Sequence, residues 1–253
     1  MKKLIFLCCI CLLSLTLHAK EILTIVRGDG NYFPFEYMDN GKLAGIHIDL
    51  IHTVADQLGV TVKFESLPWS RALFYFKLGK YDAMSHVSTT GERETFAYFL
   101  AGNIISSFKT YPIVLSRRKS EIAFDGNLTS LTGYTIAVGK DYKYGEPFDT
   151  ANFLSKYEIS TPSQAVLSKL LDLERVDVIL GSRGNLFQVY SEHEINELYH
   201  VFEQPVGTDN SYLAFSKVRN KLVMAKKFAV AISNYKSSQA YQALLQNYKK
   251  QRD

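Results

Sequence analysis

The feature that most constrains the fold is a cycle of strand, loop, helix and strand that occurs twice along the chain. The first cycle fills residues 22–85 and the second fills residues 134–180. In each cycle, short runs rich in β-branched residues flank a segment whose apolar residues have helical spacing. This alternation is typical of a parallel sheet covered by helices. We therefore predict an α/β protein built from two α/β lobes.

The order of the remaining segments predicts how the two lobes are connected. A strand at 111–115 lies between the cycles, and the chain returns through 208–215 to a helical C-terminal tail. These two segments would cross between the lobes and leave a cleft where the strand-end loops gather. We assign lobe 1 to residues 20–110 and 214–253, and lobe 2, including the crossing strands, to residues 111–213.

Local signals define where individual elements begin and end. The step from Asn40 to Gly41 predicts a hairpin, since both residue types accept positive φ. Serine or threonine before an apolar run, and proline at the first helical position, favour a helix start. The resulting predictions are a helix at 71–78 capped by Ser70, a helix at 148–154, a helix that starts at Thr161-Pro162 and ends near 173, and two final helices at about 219–234 and 237–249. Residues 181–185 are predicted to form a loop.

The first 19 residues have the pattern of a secretory signal peptide. Lys2 and Lys3 precede a 14-residue apolar run from Leu4 to Leu17, and Ala19 offers a small residue for cleavage. A membrane anchor is the alternative, but the run is shorter than the ~20 residues that a spanning helix needs. We predict a signal peptide at 1–19 and hence a secreted protein.

Cysteine usage and charge exclude two classes of site. Cys8, Cys9 and Cys11 all lie within the predicted signal peptide, so the remaining chain offers no disulfide and no cysteine metal site. Loss of Lys2 and Lys3 lowers the formal net charge of +4 by two, and no run of like charges is present. This near-neutral balance argues against a nucleic-acid partner.

Polar and aromatic side chains follow three predicted strands of the first cycle. Asp29 and Tyr32 come after the first strand, Trp69 after the second, and a stretch at 81–93 ends in Thr-x-x-Arg at Arg93. Ligands of open α/β sheets bind at the carboxyl ends of strands. A guanidinium can hold a carboxylate through two parallel hydrogen bonds. A solvated turn arginine and packed aromatic residues are the alternatives.

The order of short motifs resembles that of the family 3 bacterial extracellular solute-binding proteins, the periplasmic receptors of polar amino acid ABC importers. The similarity covers nearly all of the chain after the signal peptide and is strongest at 22–100. The motifs, in chain order, are Asp29-x-x-Tyr32-x-Pro34-Phe35, the Asn40-Gly41 hairpin, Gly45-x-x-x-Asp49-Leu50, Gly79-Lys80-x-Asp82-Ala83 and Thr90-x-x-Arg93. The resemblance implies a type II periplasmic-binding-protein fold with a ligand cleft between the lobes.

The resemblance also implies roles for first-lobe residues. Tyr32 and Trp69 match the aromatic pair that sandwiches a ligand side chain. Arg93 matches the carboxylate clamp, and Asp29 matches an acid that holds a ligand ammonium. Three further residues of the preceding loop would assist the clamp: Ser85, His86 and Ser88.

The second lobe departs from the family pattern. The acid expected after the strand at 176–180 falls at or near Ser182, so an ordinary α-amino acid is not the assured ligand. Asp141, Tyr142 and Tyr144 supply other second-lobe groups where the family usually has small residues. Arg71 is a candidate for binding a second anionic group, with a solvated helix-start arginine as the alternative.

The functional prediction is a periplasmic solute-binding protein. We expect a monomer that captures a carboxylate-bearing solute by hinge closure, delivers it to an ABC permease and needs no cofactor. The alternatives are a ligand sensor and an enzyme on the same scaffold, of the dehydratase or murein-cleaving type, with His86 or Asp141 as acid or base.

No metal site is predicted from the histidine spacing. His47 and His52 are five residues apart on a predicted helix, which does not fit paired ligands at i,i+4. We therefore predict that both histidines are surface or packing residues.

Overall fold

A computed structural model describes residues 20–160, 162–187 and 189–250. The predicted signal peptide and the predicted Thr161 cap lie outside these residues. No helix within them combines the length and apolar character needed to cross a membrane.

The described residues form strands that we number in chain order. They are β1 (Ile22–Gly28), β2 (Tyr37–Asp39), β3 (Lys42–Ala44), β4 (Thr61–Leu67), β5 (Ala83–Val87), β6 (Ala97–Tyr98), β7 (Ile104–Leu115), β8 (Thr135–Gly139), β9 (Ser155–Ile159), β10 (Val178–Gly181), β11 (Tyr199–Val201) and β12 (Gly207–Ser216). The helices are α1 (Ile46–Gln57), α2 (Trp69–Lys77), α3 (Gly91–Phe96), α4 (Glu146–Asp149), α5 (Gln164–Asp172), α6 (Arg183–Leu186), α7 (Glu192–Leu198), α8 (Leu222–Lys236) and α9 (Gln239–Lys250).

One continuous sheet connects the two halves of the molecule. Its order is β4-β1-β5-β12-β7-β10-β8-β9, with β6 beside β12 and β11 beside β7. β1 is parallel to β4 and β5, and β8 is parallel to β9 and β10. Between these parallel groups, β7 and β12 run antiparallel, with Gly207 opposite Thr110 and Tyr212 opposite Ile104. The predicted α/β architecture with two crossing segments is confirmed.

The long strands β7 and β12 carry the chain from one half to the other. They span 12 and 10 residues, well beyond the lengths of their neighbours. β12 pairs with β5 at Tyr212–Phe215, and β7 pairs with β10 and β11 at Tyr111–Leu115. The predicted lobe limits fall inside these two strands and stay a prediction.

The inner strands β1 and β8 bury both faces. On β1, Leu23 and Ile25 pack against α1 and α8, whereas Val26 packs on the other side, where α2 lies. On β8, Ile136 and Ala137 likewise enter different clusters. Successive strand side chains point to opposite faces, so burial on both sides requires nearly continuous apolar runs. This explains why the strands of both cycles can be recognised in the sequence.

Three local predictions are wrong in detail. α2 begins at Trp69 after Pro68, so Ser70 lies inside the helix and does not cap it. Ser163, not Thr161, caps α5, because its Oγ accepts a hydrogen bond from Val166 N at 3.2 Å. Ser182 and Asn185 form a capping box that starts a short helix, α6, where a loop is predicted.

The predicted helix at 148–154 is also wrong. α4 ends at Asp149, whose Oδ1 accepts a hydrogen bond from Tyr144 N at 3.2 Å. The chain then turns and adds β9, parallel to β8 along its length. Phe148, Ala151 and Leu154 have helical spacing and are buried in the second half, but only Phe148 lies in a helix, and turns at 150–154 lead into β9.

Candidate functional site

A cavity of about 940 Å³ lies where loops of both halves meet the crossing strands. Residues that follow β1, β4 and β5 line one side of it, and residues that follow β8 and β10 line the other. The middle of β7 contributes Ser107 to Tyr111. The cavity therefore lies at the carboxyl ends of the parallel strands, where the sequence predicts the ligand cleft.

Most of the predicted site residues line this cavity. They are Asp29, Tyr32, Trp69, His86, Ser88, Arg93, Tyr142 and Ser182. They come from six separate segments of the chain, and the sheet order brings them together. Their roles toward a ligand stay predictions.

Three predicted site residues have other positions. Arg71 is exposed on α2 and does not line the cavity, because α2 turns this position toward solvent. Ser85 is fully buried in β5, because this strand continues to Val87. Ser85 therefore belongs to the strand and not to the loop that follows it. Asp141 is outside the lining, but its backbone carbonyl accepts hydrogen bonds from Trp69 and Arg93.

Arg93 is fixed at the start of α3. Thr90 caps this helix, and its Oγ1 accepts a hydrogen bond from Arg93 N at 3.1 Å. The guanidinium is almost fully buried, and its Nη1 donates to Ser88 O at 2.9 Å. Burial lowers the pKa of Arg93, and Asp141 and Asp209 oppose this effect. The site thus holds a positive charge in a defined orientation.

The loop after β8 closes over the first half through several direct contacts. Trp69 Nε1 donates to Asp141 O at 3.1 Å, and Ser70 Oγ donates to Asp141 Oδ2 at 2.9 Å. The hydroxyls of Tyr32 and Tyr142 are 2.7 Å apart. Asp141 adopts a positive φ of 63°, which turns its carbonyl and side chain toward α2. These contacts hold the two halves together across the cavity.

The two predicted sandwich residues have different ring partners. The Tyr32 ring stacks on His86 with a centroid distance of 4.9 Å, and the Trp69 ring meets Tyr142 edge-on at 5.4 Å. Arg93 lies over Trp69, with its guanidinium carbon 5.4 Å from a ring centroid. Burial raises the pKa of Tyr32, with Tyr142 adding to the effect, so its hydroxyl is protonated at neutral pH. Tyr32, Trp69 and Tyr142 therefore form an aromatic wall of the cavity, and Arg93 lies against the Trp69 ring.

Ser182, at the position where an acid is expected, caps the start of α6. Its Oγ donates to Asn185 Oδ1 at 2.7 Å and accepts from Asn185 N at 3.3 Å. Asn185 also lines the cavity. Uncharged polar groups therefore occupy this part of the wall.

A buried charged cluster lies beside the cavity, and the sequence interpretation missed it. Arg27 Nε donates to Glu36 Oε2 at 2.9 Å. His47 Nδ1 lies 3.2 Å from Glu36 Oε1 and 3.3 Å from His86 Nδ1. Glu36 and His86 also line the cavity. One sequence signal indicated that His47 is buried. Leu50 and Ile51 follow His47 by three and four residues, which places His47 on the apolar face of α1.

Burial and mutual contact set the protonation of this cluster. Burial by itself would raise the pKa of Glu36, but His47, His86 and Arg27 lower it below its usual range. Burial lowers the pKa of His86, against the opposing effect of Glu36. At neutral pH the cluster therefore contains a carboxylate and a neutral His86 imidazole.

Comparison with known proteins identifies the family. Residues 24–251 match the model of the bacterial extracellular solute-binding proteins, family 3. The chain is 26% identical over 165 residues to the probable amino-acid-binding protein YxeM of Bacillus subtilis (strain 168). That match covers 62% of this chain and only 58% of the length of YxeM.

Two solved structures show the same fold. Holo ArgBP from T. maritima gives a TM-score of 0.68 at 18% identity, covering 90% of this chain and 95% of that one. The amino acid ABC transporter substrate-binding protein AbpA from Streptococcus pneumoniae Canada MDR_19A, bound to L-arginine, gives 0.69 at 21% identity, covering 90% and 94%. These similarities confirm the predicted type II periplasmic-binding-protein fold. The chain belongs to the bacterial extracellular solute-binding proteins, family 3.

Proposed function

We propose that the protein is a periplasmic receptor that captures a small carboxylate-bearing solute, an amino acid or a related compound, for an ABC importer. The observation that carries the proposal is the buried Arg93 guanidinium at the cavity between the two halves. The names of the relatives support an amino-acid-type ligand, since one is a probable amino-acid-binding protein and another is bound to L-arginine. The predicted signal peptide supports export.

Arg93 is suited to anchor the carboxylate. Its Nη1 is already oriented by Ser88 O, so little side-chain freedom would be lost on binding. Its Nη2 contacts Asp141 O, at the edge of the loop that closes the cavity. A carboxylate there would accept charge-assisted hydrogen bonds in a partly desolvated site. The aromatic wall formed by Tyr32, Trp69 and Tyr142 would enclose the rest of the solute.

Capture requires the two halves to close around the solute. A ligand favours the closed state only if it binds that state better than the open one. Here Arg93 belongs to the first half, whereas Tyr142 and Ser182 belong to the second, so one solute can contact both. Rotation about the two crossing strands is a hinge motion of the kind found in such proteins.

A binding role accounts better for His86 and Asp141 than a catalytic one. The His86 ring is stacked under Tyr32 and contacts His47. The Asp141 carboxylate accepts a hydrogen bond from Ser70. Both residues considered as acid or base are thus engaged by neighbouring side chains, and the relatives are named as binding proteins. We therefore propose capture without turnover.

The test is a ligand screen followed by matched arginine variants. Residues 20–253 are screened by thermal shift against amino acids, opines, dicarboxylates and small peptides, because a ligand raises the melting temperature by mass action. Calorimetry with the best binder then compares wild type, Arg93→Ala and Arg71→Ala. We expect Arg93→Ala to weaken binding roughly 10- to 100-fold and Arg71→Ala, exposed outside the cavity, to leave it unchanged.

Two results would contradict the assignment. Unchanged affinity in a folded Arg93→Ala protein would remove Arg93 as the anchor. Conversion of the bound compound into another one would favour the enzyme alternative. Circular dichroism of each variant controls for misfolding.

A further inference from the structure

We propose that Glu36, His47 and His86 form a binding site for a divalent transition-metal ion of the Zn²⁺ type beside the solute cleft. One donor atom from each of the three residues lies within 4.8 Å of the donor atoms of the other two. The three residues come from the loop before β2, from α1 and from the end of β5, so the fold brings them together.

The spacing of the donor atoms fits a tetrahedral ion. Two ligands bound at about 2.0 Å from a tetrahedral Zn²⁺ lie about 3.3 Å from each other. His47 Nδ1 is 3.2 Å from Glu36 Oε1 and 3.3 Å from His86 Nδ1. Two edges of the expected ligand tetrahedron are thus already present, and the third, between the donor atoms of Glu36 and His86, is within 4.8 Å.

Outer contacts orient two of the three ligands. His47 Nε2 lies 2.8 Å from Ser106 Oγ, so the ring can donate there and keep a lone pair on Nδ1. Arg27 Nε donates to Glu36 Oε2, which leaves Oε1 facing the histidines. Such second contacts, which fix the tautomer and the ring orientation, accompany most metal-ligating histidines and carboxylates.

The His47 tautomer decides how this cluster is bonded. With the proton on Nδ1, His47 donates to Glu36 Oε1; with the proton on Nε2, it donates to Ser106 Oγ, and the Nδ1 lone pair then lies beside the Glu36 carboxylate and the His86 ring. A cation would satisfy all three groups at once. The backbone of His86 also adopts a positive φ of 53°, a costly conformation for a residue other than glycine. Strained residues of this kind concentrate at ligand-binding positions.

The donor set selects the class of metal. Two imidazole nitrogens and one carboxylate oxygen suit Zn²⁺ and neighbouring transition ions, whereas Mg²⁺ and Ca²⁺ prefer sites made of oxygen atoms. Three protein ligands leave a fourth position of the tetrahedron for another donor. Because Glu36 and His86 line the cavity, the site borders the solute cleft.

The test uses the metal alone, without any solute. Untagged protein of residues 20–253 is treated with a chelator, dialysed and titrated with Zn²⁺ in competition with a chromogenic chelator. Co²⁺ provides a second readout through the visible absorption of a tetrahedral complex. We expect binding at one ion per chain, and loss of at least about tenfold in Zn²⁺ affinity in His47→Gln and in His86→Gln.

Matched controls separate this site from surface binding and from misfolding. His52→Gln, an exposed position on the same helix, should bind Zn²⁺ like wild type, and so should Arg93→Ala. The Arg93 control separates a failure of the metal site from a failure of the proposed solute anchor. Ser106→Ala should weaken binding while keeping the Co²⁺ spectrum tetrahedral.

Either of two results would overturn the proposal. Absence of stoichiometric Zn²⁺ and Co²⁺ binding by the folded wild type would leave the cluster as a hydrogen-bonded network. An equal loss of Zn²⁺ affinity in His52→Gln would mean that the ion binds at the protein surface and not at the proposed site.

Discussion

At the residue scale, Asp82, which directly precedes β5, connects β1 to the segment that follows β12. Its carboxylate is buried and accepts hydrogen bonds from Thr24 N at 2.8 Å and Thr24 Oγ1 at 2.7 Å. Arg219 and Lys221 contact the other oxygen at 2.6 and 3.2 Å. We expect Asp82→Asn to lower the free energy of unfolding by about 1–3 kcal/mol at pH 7, measured by urea denaturation.

The effect of Asp82 should depend on pH in one direction. Burial by itself would raise its pKa, but the hydrogen bonds from Thr24 and the contact with Lys221 lower it overall. A lowered folded-state pKa gives stability that is present above the unfolded pKa of about 4 and is lost as pH falls through the folded value. The difference in unfolding free energy between wild type and Asp82→Asn should therefore shrink as the pH falls below about 4. Exposed Asp56→Asn is the control, and a constant gap between wild type and Asp82→Asn would contradict the linkage.

At the scale of elements, α9 is joined to the start of α1 by one hydroxyl. Tyr248 OH donates to Asp49 Oδ2 at 2.8 Å and accepts from Gly45 N at 3.1 Å. Tyr248→Phe would leave the buried Gly45 N–H without this partner, so we expect a loss of about 1–2 kcal/mol in unfolding free energy. Tyr241→Phe is the matched control, because among the described residues the Tyr241 hydroxyl forms no side-chain hydrogen bond. Equal losses in both variants would contradict this account.

At the scale of the whole molecule, the single tryptophan reports contact between the halves. Trp69 packs against Tyr142 and donates to Asp141 O, both from the loop of the second half. Tyr142→Ala should expose the indole to water and shift its fluorescence emission to longer wavelength. Tyr157→Ala, an exposed position on β9, should leave the emission unchanged. An unshifted spectrum in Tyr142→Ala would mean that the halves do not meet at Trp69 in solution.

The crossing strands are where we expect the molecule to bend. β7 and β12 pair over several residues, and the register of β12 shifts beside Tyr212 on both sides. Such irregularities locally bend and twist a strand. Because these two strands are the covalent route between the halves, bending there would open the cavity while leaving each core intact.

Local patterns in the sequence were sufficient for the α/β class and for most of the cleft-facing loops. Strands buried on both faces require apolar runs, and glycine or proline marks their ends, so both signals are visible within a few residues. Arg93, Tyr32 and Trp69 could be proposed because each follows such a strand. β9 was missed although Lys156 to Ile159 alternates charged and apolar residues, as a half-buried strand does, because the run is short and follows residues whose apolar spacing is helical.

Only the tertiary structure decided which side chains meet. Glu36, His47 and His86 are separated by 11 and 39 residues, and their contact depends on how α1 packs against β5. The same reason excludes Arg71 from the cavity and recruits the Asp141 carbonyl to it. Sequence determines the elements through local preference and periodicity. The direction of each side chain depends on packing between distant elements, and that packing creates both the arginine site and the buried histidine cluster.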